Sequence, residues 1–164
     1  MTTDFPAHAE YLAFAETLAD QSRRMLLAVK GSAPKDDIKS HASFVTTADK
    51  AVEPALRAMI QETYPDHGIL GEEFNNINID ADFVGVLDPI DGTAAFVAGV
   101  PVYGTLIGLA WQGQPYVGVI DHPITSDRWT GVSGRMVEHN GTQVRVRACA
   151  SVETAYATCS NADL

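Results

Sequence analysis

The stretch that most constrains this chain is Val84 to Phe96, Val-Gly-Val-Leu-Asp-Pro-Ile-Asp-Gly-Thr-Ala-Ala-Phe. A short apolar strand runs straight into two carboxylates, Asp88 and Asp91, with Pro89 stiffening the backbone between them and Gly92-Thr93 offering a helix entry. Aspartates three apart on such a turn direct carboxylate oxygens toward one point, with the Ile90 carbonyl between them. That oxygen-only donor set suits Mg²⁺ or another hard cation better than zinc. If Gly92 and Thr93 open a helix, their backbone amides make an anion-binding end beside the cation. A cation next to a helix N-terminus describes a phosphate site. Asp-Pro and Asp-Gly are also common turn dipeptides, so this stretch by itself leaves a site and a plain turn both open.

Support comes from the segments before it. Between Pro6 and Val29 the residues Tyr11, Phe14, Ala15, Leu18, Ala19, Ser22, Met25, Leu26 and Val29 recur at three- and four-residue intervals, which predicts an amphipathic helix, with Pro6 in its first turn and Gly31 as its stop. Residues 31–43 are polar and contain Pro34, and read as a loop. A second helix is expected over Lys50 to Thr63, with Val52, Leu56, Met59 and Ile60 on one face and Thr46 or Thr47 as its cap. Asp49 then falls in the first turn, where the helix dipole favours a carboxylate without any further role. Pro54 removes a backbone bond, so the helix is bent there or starts later.

Ile69 to Gly71 reads as a short strand ending in Glu72-Glu73, and Phe83 to Leu87 as another ending in Asp88. If the two are neighbours in one sheet, Glu72 and Asp88 emerge close together. Ala94 to Ala98 is helix-like, Gly99-Val-Pro101 breaks the chain, and a β-rich half follows. Tyr103 to Trp111 and Tyr116 to Asp121 flank a hairpin at Gln112 to Pro115, and Arg128 to Val132 is a further strand. Asn140-Gly141 is a turn before Gln143 to Arg147, whose Val144 and Val146 face one way. The fold class expected is therefore α+β, a mostly antiparallel sheet packed against two N-terminal helices.

Length and charge narrow the function. At 164 residues the chain is one domain, or one domain and the start of another, and 46% hydrophobic residues argue against wholesale disorder. Eleven basic against 21 acidic residues, a net charge of −10, make nucleic acid an unfavourable partner. No apolar run approaches membrane-spanning length and the first residues lack a signal-peptide pattern, so no membrane partner and a cytoplasmic location are expected. Cys149 and Cys159 read as free thiols in a reducing compartment. His8, His41, His67, His122 and His139 show no metal-ligand spacing, Lys39 reads as a solvated loop lysine, and Trp111 and Trp129 as core or interface residues. No Ser/His/Asp or Cys/His arrangement suggests a covalent nucleophile.

Val45-Thr-Thr-Ala-Asp49, Gly71-Glu-Glu73 and Leu87-Asp-Pro-Ile-Asp-Gly-Thr93, in this order and at these separations, resemble the inositol monophosphatase family of metal-dependent phosphatases. The continuation from Phe96 through Gly99, Pro101 and Tyr103-Gly-Thr-Leu-Ile107 looks most like the branch that includes histidinol-phosphate phosphatases, although Ala94 departs from it. The resemblance implies the first half of a layered fold and Mg²⁺, two or three ions in a complete site, with Mn²⁺ as a substitute. It implies that Glu72, Asp88 and the Ile90 carbonyl hold one ion, and that Asp88 bridges to a second held also by Asp91. Asp49 and Thr93 would pair to orient and deprotonate the attacking water, and the Gly92 and Thr93 amides would hold phosphate oxygens.

The resemblance further implies hydrolysis of a small phosphorylated alcohol by metal-activated water, histidinol phosphate being favoured over inositol monophosphate or adenosine bisphosphate, in an enzyme that pairs into a homodimer. Members of the family continue into a second α/β half that supplies another aspartate, and residues 149–164 would be its start, after an N-terminal metal-binding domain over residues 1–148. The chain is thus expected to be a fragment. A truncated, non-catalytic binding or assembly module is the alternative of a different class.

Overall fold

The structure, a computed structural model, describes residues 8–29, 47–135 and 137–156. Helix α1 spans His8–Val29 and α2 spans Asp49–Thr63. The first strands are β1 (Gly68–Gly71) and β2 (Phe83–Asp91), followed by the short helix α3 (Thr93–Ala98). Then come β3 (Gly104–Trp111), β4 (Gln114–His122), β5 (Asp127–Val132), β6 (Val137–His139) and β7 (Thr142–Val144). The seven strands form one sheet in chain order, β1 parallel to β2 and every later pair antiparallel. This is the α+β arrangement expected.

Both helices pack on one face of the sheet, α1 against β3, β4 and β5 and α2 against β2. The α1 stripe buries Ala15, Leu18, Ala19, Ser22 and Leu26, and α2 buries Val52, Leu56 and Ile60. They meet a cross-strand row, Leu87, Ile107 and Val119, held opposite one another by the ladder. Each such aliphatic side chain contributes roughly 1.5–3 kcal/mol on burial, so this layer is the main stabilising element. Polar ties complete it. Asp121, fully buried on β4, accepts from Arg23 of α1 at 2.9 and 2.6 Å and from Arg128 of β5 at 2.6 Å.

The opposite face, which neither α1 nor α2 covers among the described residues, carries Val86, Gly108, Gly118 and Gly131 in one row and Asp88, Leu106, Ile120 and Trp129 in the next. Gln112-Gly113 and Asn140-Gly141 make the two tight hairpins, all four residues at positive φ, as two-residue turns between twisted antiparallel strands require. On the outer edge of β1, Ile77 exchanges two backbone bonds with Ile69, at 2.7 and 2.9 Å.

Several boundaries differ from expectation. Helix α2 starts at Asp49, with Ala48 as N-cap in helical dihedrals and no side-chain cap, so Thr47 does not cap it, and Thr46 lies outside the described residues. Pro54 sits inside α2, where its missing amide costs the bond to the Lys50 carbonyl near the helix start. Strand β7 ends at Val144, because β6 offers it only three partners, and Val146 is 96% exposed. Strand β6 has no counterpart in the expected elements. Pro6, residues 31–43 with Lys39 and His41, and Cys159 lie outside the described residues.

Candidate functional site

The parallel pairing of β1 with β2 sets Gly71 opposite Leu87, so the next residues, Glu72 just past the end of β1 and Asp88 within β2, lie at the same height. The sequence-based condition for their meeting is satisfied. The Asp-Pro-Ile-Asp segment is strand rather than turn. Asp88 pairs with Leu106 and Asp91 with Gly104, so three steps along β2 match two along β3, a β-bulge.

This bulge decides where the carboxylates point. In a regular strand, residues three apart project to opposite faces. Leu106 and Gly104 are two apart and share a face, so their partners Asp88 and Asp91 share it too. One extra residue converts an i, i+3 spacing into a pair of acids on the face opposite α1 and α2.

Asp88 is half-buried, and its Oδ1 is fully shielded with no hydrogen-bond partner among the described residues. Burial, foremost, pushes its carboxyl up to about 7, helped by a hydrogen bond to Glu72 and the charges of Glu72 and Asp91, while the Ile90 amide pulls the other way. A carboxylate with a shielded free oxygen, crowded by two others, is a group that lacks a positive partner. Glu73 is also raised, first by burial and then by Asp49, Glu72 and Glu53. Asp49, 2% exposed at the start of α2, is thereby brought within electrostatic reach of the Glu72-Glu73 corner.

The Thr93 hydroxyl donates to the Ile90 carbonyl at 3.0 Å. Gly92 caps α3 at φ +83°, a conformation that favours glycine, and leaves the first amides of α3 without intrahelical acceptors. Among the described residues no three Asp, Glu, His or Cys side chains form a ready metal-ligating cluster. A hard cation here would have one or two carboxylates, the Ile90 carbonyl and water to draw on, the mixed set that Mg²⁺ accepts. The shielded Asp88 oxygen and the oxygen-only donors fit that ion.

Sequence reasoning missed the residues that hold these acids in place. On α2, Glu53 and Arg57 form a buried ion pair at 2.7 Å. Arg57 donates to the Phe74 and Asn75 carbonyls, both at 3.0 Å, and Glu53 accepts from the Glu73 amide at 2.9 Å. The corner bearing Glu72 is thus clamped onto the helix. Gly71 has no room for a side chain, because a Cβ there would run into both members of the pair. The available signal was the i, i+4 spacing of Glu53 and Arg57, which reads equally well as a solvated helix pair.

The histidines occupy other places. His67 stacks between Tyr64 and Phe83, with ring centroids 4.6 and 5.0 Å away. His139 pairs with Asp127 at 2.8 Å and stacks on Trp129, and a ring nitrogen of His122 bonds the Tyr103 carbonyl at 3.0 Å. His8 begins α1. Cys149 is exposed and free, and no helix among the described residues is long and apolar enough to cross a membrane.

Comparison with known proteins agrees with the geometry. The family model described as the inositol monophosphatase family matches residues 7–162. The chain is 41% identical over 150 residues to the bifunctional phosphatase IMPL2, chloroplastic, of Arabidopsis thaliana, covering 89% of this chain and 43% of that protein. It is 42% identical over 99 residues to a histidinol-phosphatase of Mycobacterium tuberculosis, covering 60% of this chain and 38% of that one. An inositol monophosphatase structure from Zymomonas mobilis superposes with a TM-score of 0.76 at 36% identity, over 88% of this chain and 56% of its own. The chain spans less than half the length of these curated relatives. By the family match, the motif set and the fold together, the chain belongs to the inositol monophosphatase family.

Proposed function

We propose that the chain is the N-terminal, metal-binding part of a Mg²⁺-dependent phosphomonoesterase that hydrolyses a small phosphorylated alcohol, histidinol phosphate being the favoured substrate. The observation that carries this reading is the shielded, unpartnered Oδ1 of Asp88 beside Glu72 and Asp91 on one face of the sheet. Glu72, Asp88, Asp91 and the Ile90 carbonyl are the groups that would hold the ions. When bound, Mg²⁺ supplies a hydroxide-forming water and neutralises charge on the phosphate and the leaving oxygen.

The chain's own residues do the rest. Asp49, at the first turn of α2, takes a proton from the attacking water, and Thr93 orients it while its hydroxyl is steadied by the Ile90 carbonyl. The Gly92 and Thr93 amides receive phosphate oxygens. Water is the nucleophile, and no covalent enzyme intermediate forms. The histidinol-phosphatase relative supports the favoured substrate, and the Zymomonas mobilis neighbour supports an inositol monophosphate as its competitor. Division into a metal-binding unit over residues 1–148 and the start of a second α/β unit over residues 149–164, a cytoplasmic location and a homodimer belong to the same proposal.

Phosphate release from histidinol phosphate, inositol monophosphates and adenosine bisphosphate, measured on the full-length gene product with and without Mg²⁺, tests it. Mg²⁺-dependent release, fastest from histidinol phosphate, is expected. No release from any of them refutes it and leaves the non-catalytic module.

A further inference from the structure

The bulge in β2 creates a hydrogen-bonding deficit. Pro89 and Ile90 together face one residue of β3, Thr105. Pro89 has no amide, and a single Thr105 amide cannot serve both carbonyls of the bulge. Hydroxyls fill the gap. Thr93 donates to the Ile90 carbonyl, and Thr105 Oγ1 donates to the Pro89 carbonyl at 2.9 Å. A carbonyl only accepts, so the one hydroxyl hydrogen of Thr105 is committed to Pro89. The 2.6 Å contact between Thr105 and Ser22 therefore has Ser22 as its donor. Ser22 and Thr105 are 0% and 1% exposed. A directed pair of buried bonds thus runs from α1 through β3 to the main chain between the two aspartates.

We propose that Thr105, with Ser22 behind it, is a positioning residue that holds the bulge in the register placing Asp88 and Asp91 on one face, and so sets the cation affinity of the site. The inference rests on the cation reading given above. Thr105 lies on the helix side of the sheet and the acids on the other, so its influence passes through the Pro89 carbonyl and not through any contact with a bound group.

The test uses the full-length gene product and two readouts, the Mg²⁺ concentration at half-maximal thermal stabilisation and the Mg²⁺ dependence of phosphate release. Thr105→Val keeps the side-chain shape and removes the hydroxyl. It should raise the Mg²⁺ midpoint about tenfold in both readouts, the effect of one lost buried hydrogen bond expressed as affinity. Thr105→Ser restores the hydroxyl and should stay within about twofold of wild type. Thr130→Val, the same change at another buried threonine facing the helices, should lower thermal stability and leave the midpoint alone.

A Thr105→Val protein that melts lower yet keeps the wild-type midpoint overturns the inference, as does a Thr130→Val shift of equal size. If Thr105→Val does not fold, Ser22→Ala takes its place with an expected shift of about threefold, and no shift overturns the inference. A wild-type protein that Mg²⁺ does not stabilise overturns the cation reading itself, and this inference with it.

Discussion

Replacing Asp88 by Asn should stabilise the cation-free protein at alkaline pH. The Asp88 carboxyl sits at about 7 in the folded chain, against 3.8 unperturbed. Because the folded value is the higher one, its contribution is fully favourable below about pH 4 and is lost as pH rises through 7. Above that the ionised group is a net cost. Some three pH units at ~1.4 kcal/mol each give about 4 kcal/mol, and half-exposure to solvent reduces this to about 2 kcal/mol. Asn keeps the shape and carries no charge.

In a protein of this size such a gain raises the melting temperature by about 4–8 °C. Thermal melts of wild type and Asp88→Asn in EDTA at pH 8 read it directly. The gap should shrink to about a quarter near pH 4.5, where the wild-type carboxyl is protonated in the folded state and, with the pH close to its unperturbed value of 3.8, still mostly ionised in the unfolded one. Added Mg²⁺ at pH 8 should raise wild type and leave the variant nearly unchanged. An Asn variant that melts at or below wild type in EDTA at pH 8 refutes the reasoning, since Asp88 would then have a positive partner already.

Gly71→Ala should destabilise the protein by about 1–3 kcal/mol, because its Cβ meets the buried Glu53–Arg57 pair, which cannot move without releasing the Phe74 and Asn75 carbonyls. Urea unfolding checks this, and a variant as stable as wild type shows that the clamp yields freely. His67 has its imidazole lowered, chiefly by burial, so stability should be level above pH 6.5 and decline as pH falls below it. An NMR titration giving His67 a pKa at or above 6.5 contradicts the stacking environment described.

Elements with strong periodicity are legible in the amino-acid sequence alone. The α1 stripe, the Val52, Leu56 and Ile60 face and the Asn140-Gly141 turn all follow from local spacing and turn chemistry. The acids of the site are legible for a different reason, since Glu72 and Asp88 each follow a short apolar run in the sequence, although β2 itself continues to Asp91. The bulge is not, because a bulge is a relation between two strands. Asp-Pro-Ile-Asp suits a turn equally well until Leu106 and Gly104 define the register. Glu53, Arg57 and Thr105 escape a sequence reading because their polarity assigns them to the surface, and only the packing shows them buried. Strand β6 is three residues long, too short for alternation to register.

An Asp-x-Asp sequence in an ordinary strand would also put two carboxylates on one face, at about 6.6 Å spacing and with one residue fewer. Alignment alone therefore does not call for Pro89 and Ile90 together. What the additional residue adds is main-chain oxygen, since two carbonyls now face a single partner and neither is fully claimed by the ladder. The Pro89 carbonyl is met by the Thr105 hydroxyl, and the Ile90 carbonyl by the Thr93 hydroxyl. On the cation reading proposed above, the extra residue would enlarge the ligand set by an uncharged oxygen donor without adding to the repulsion that already burdens Asp88.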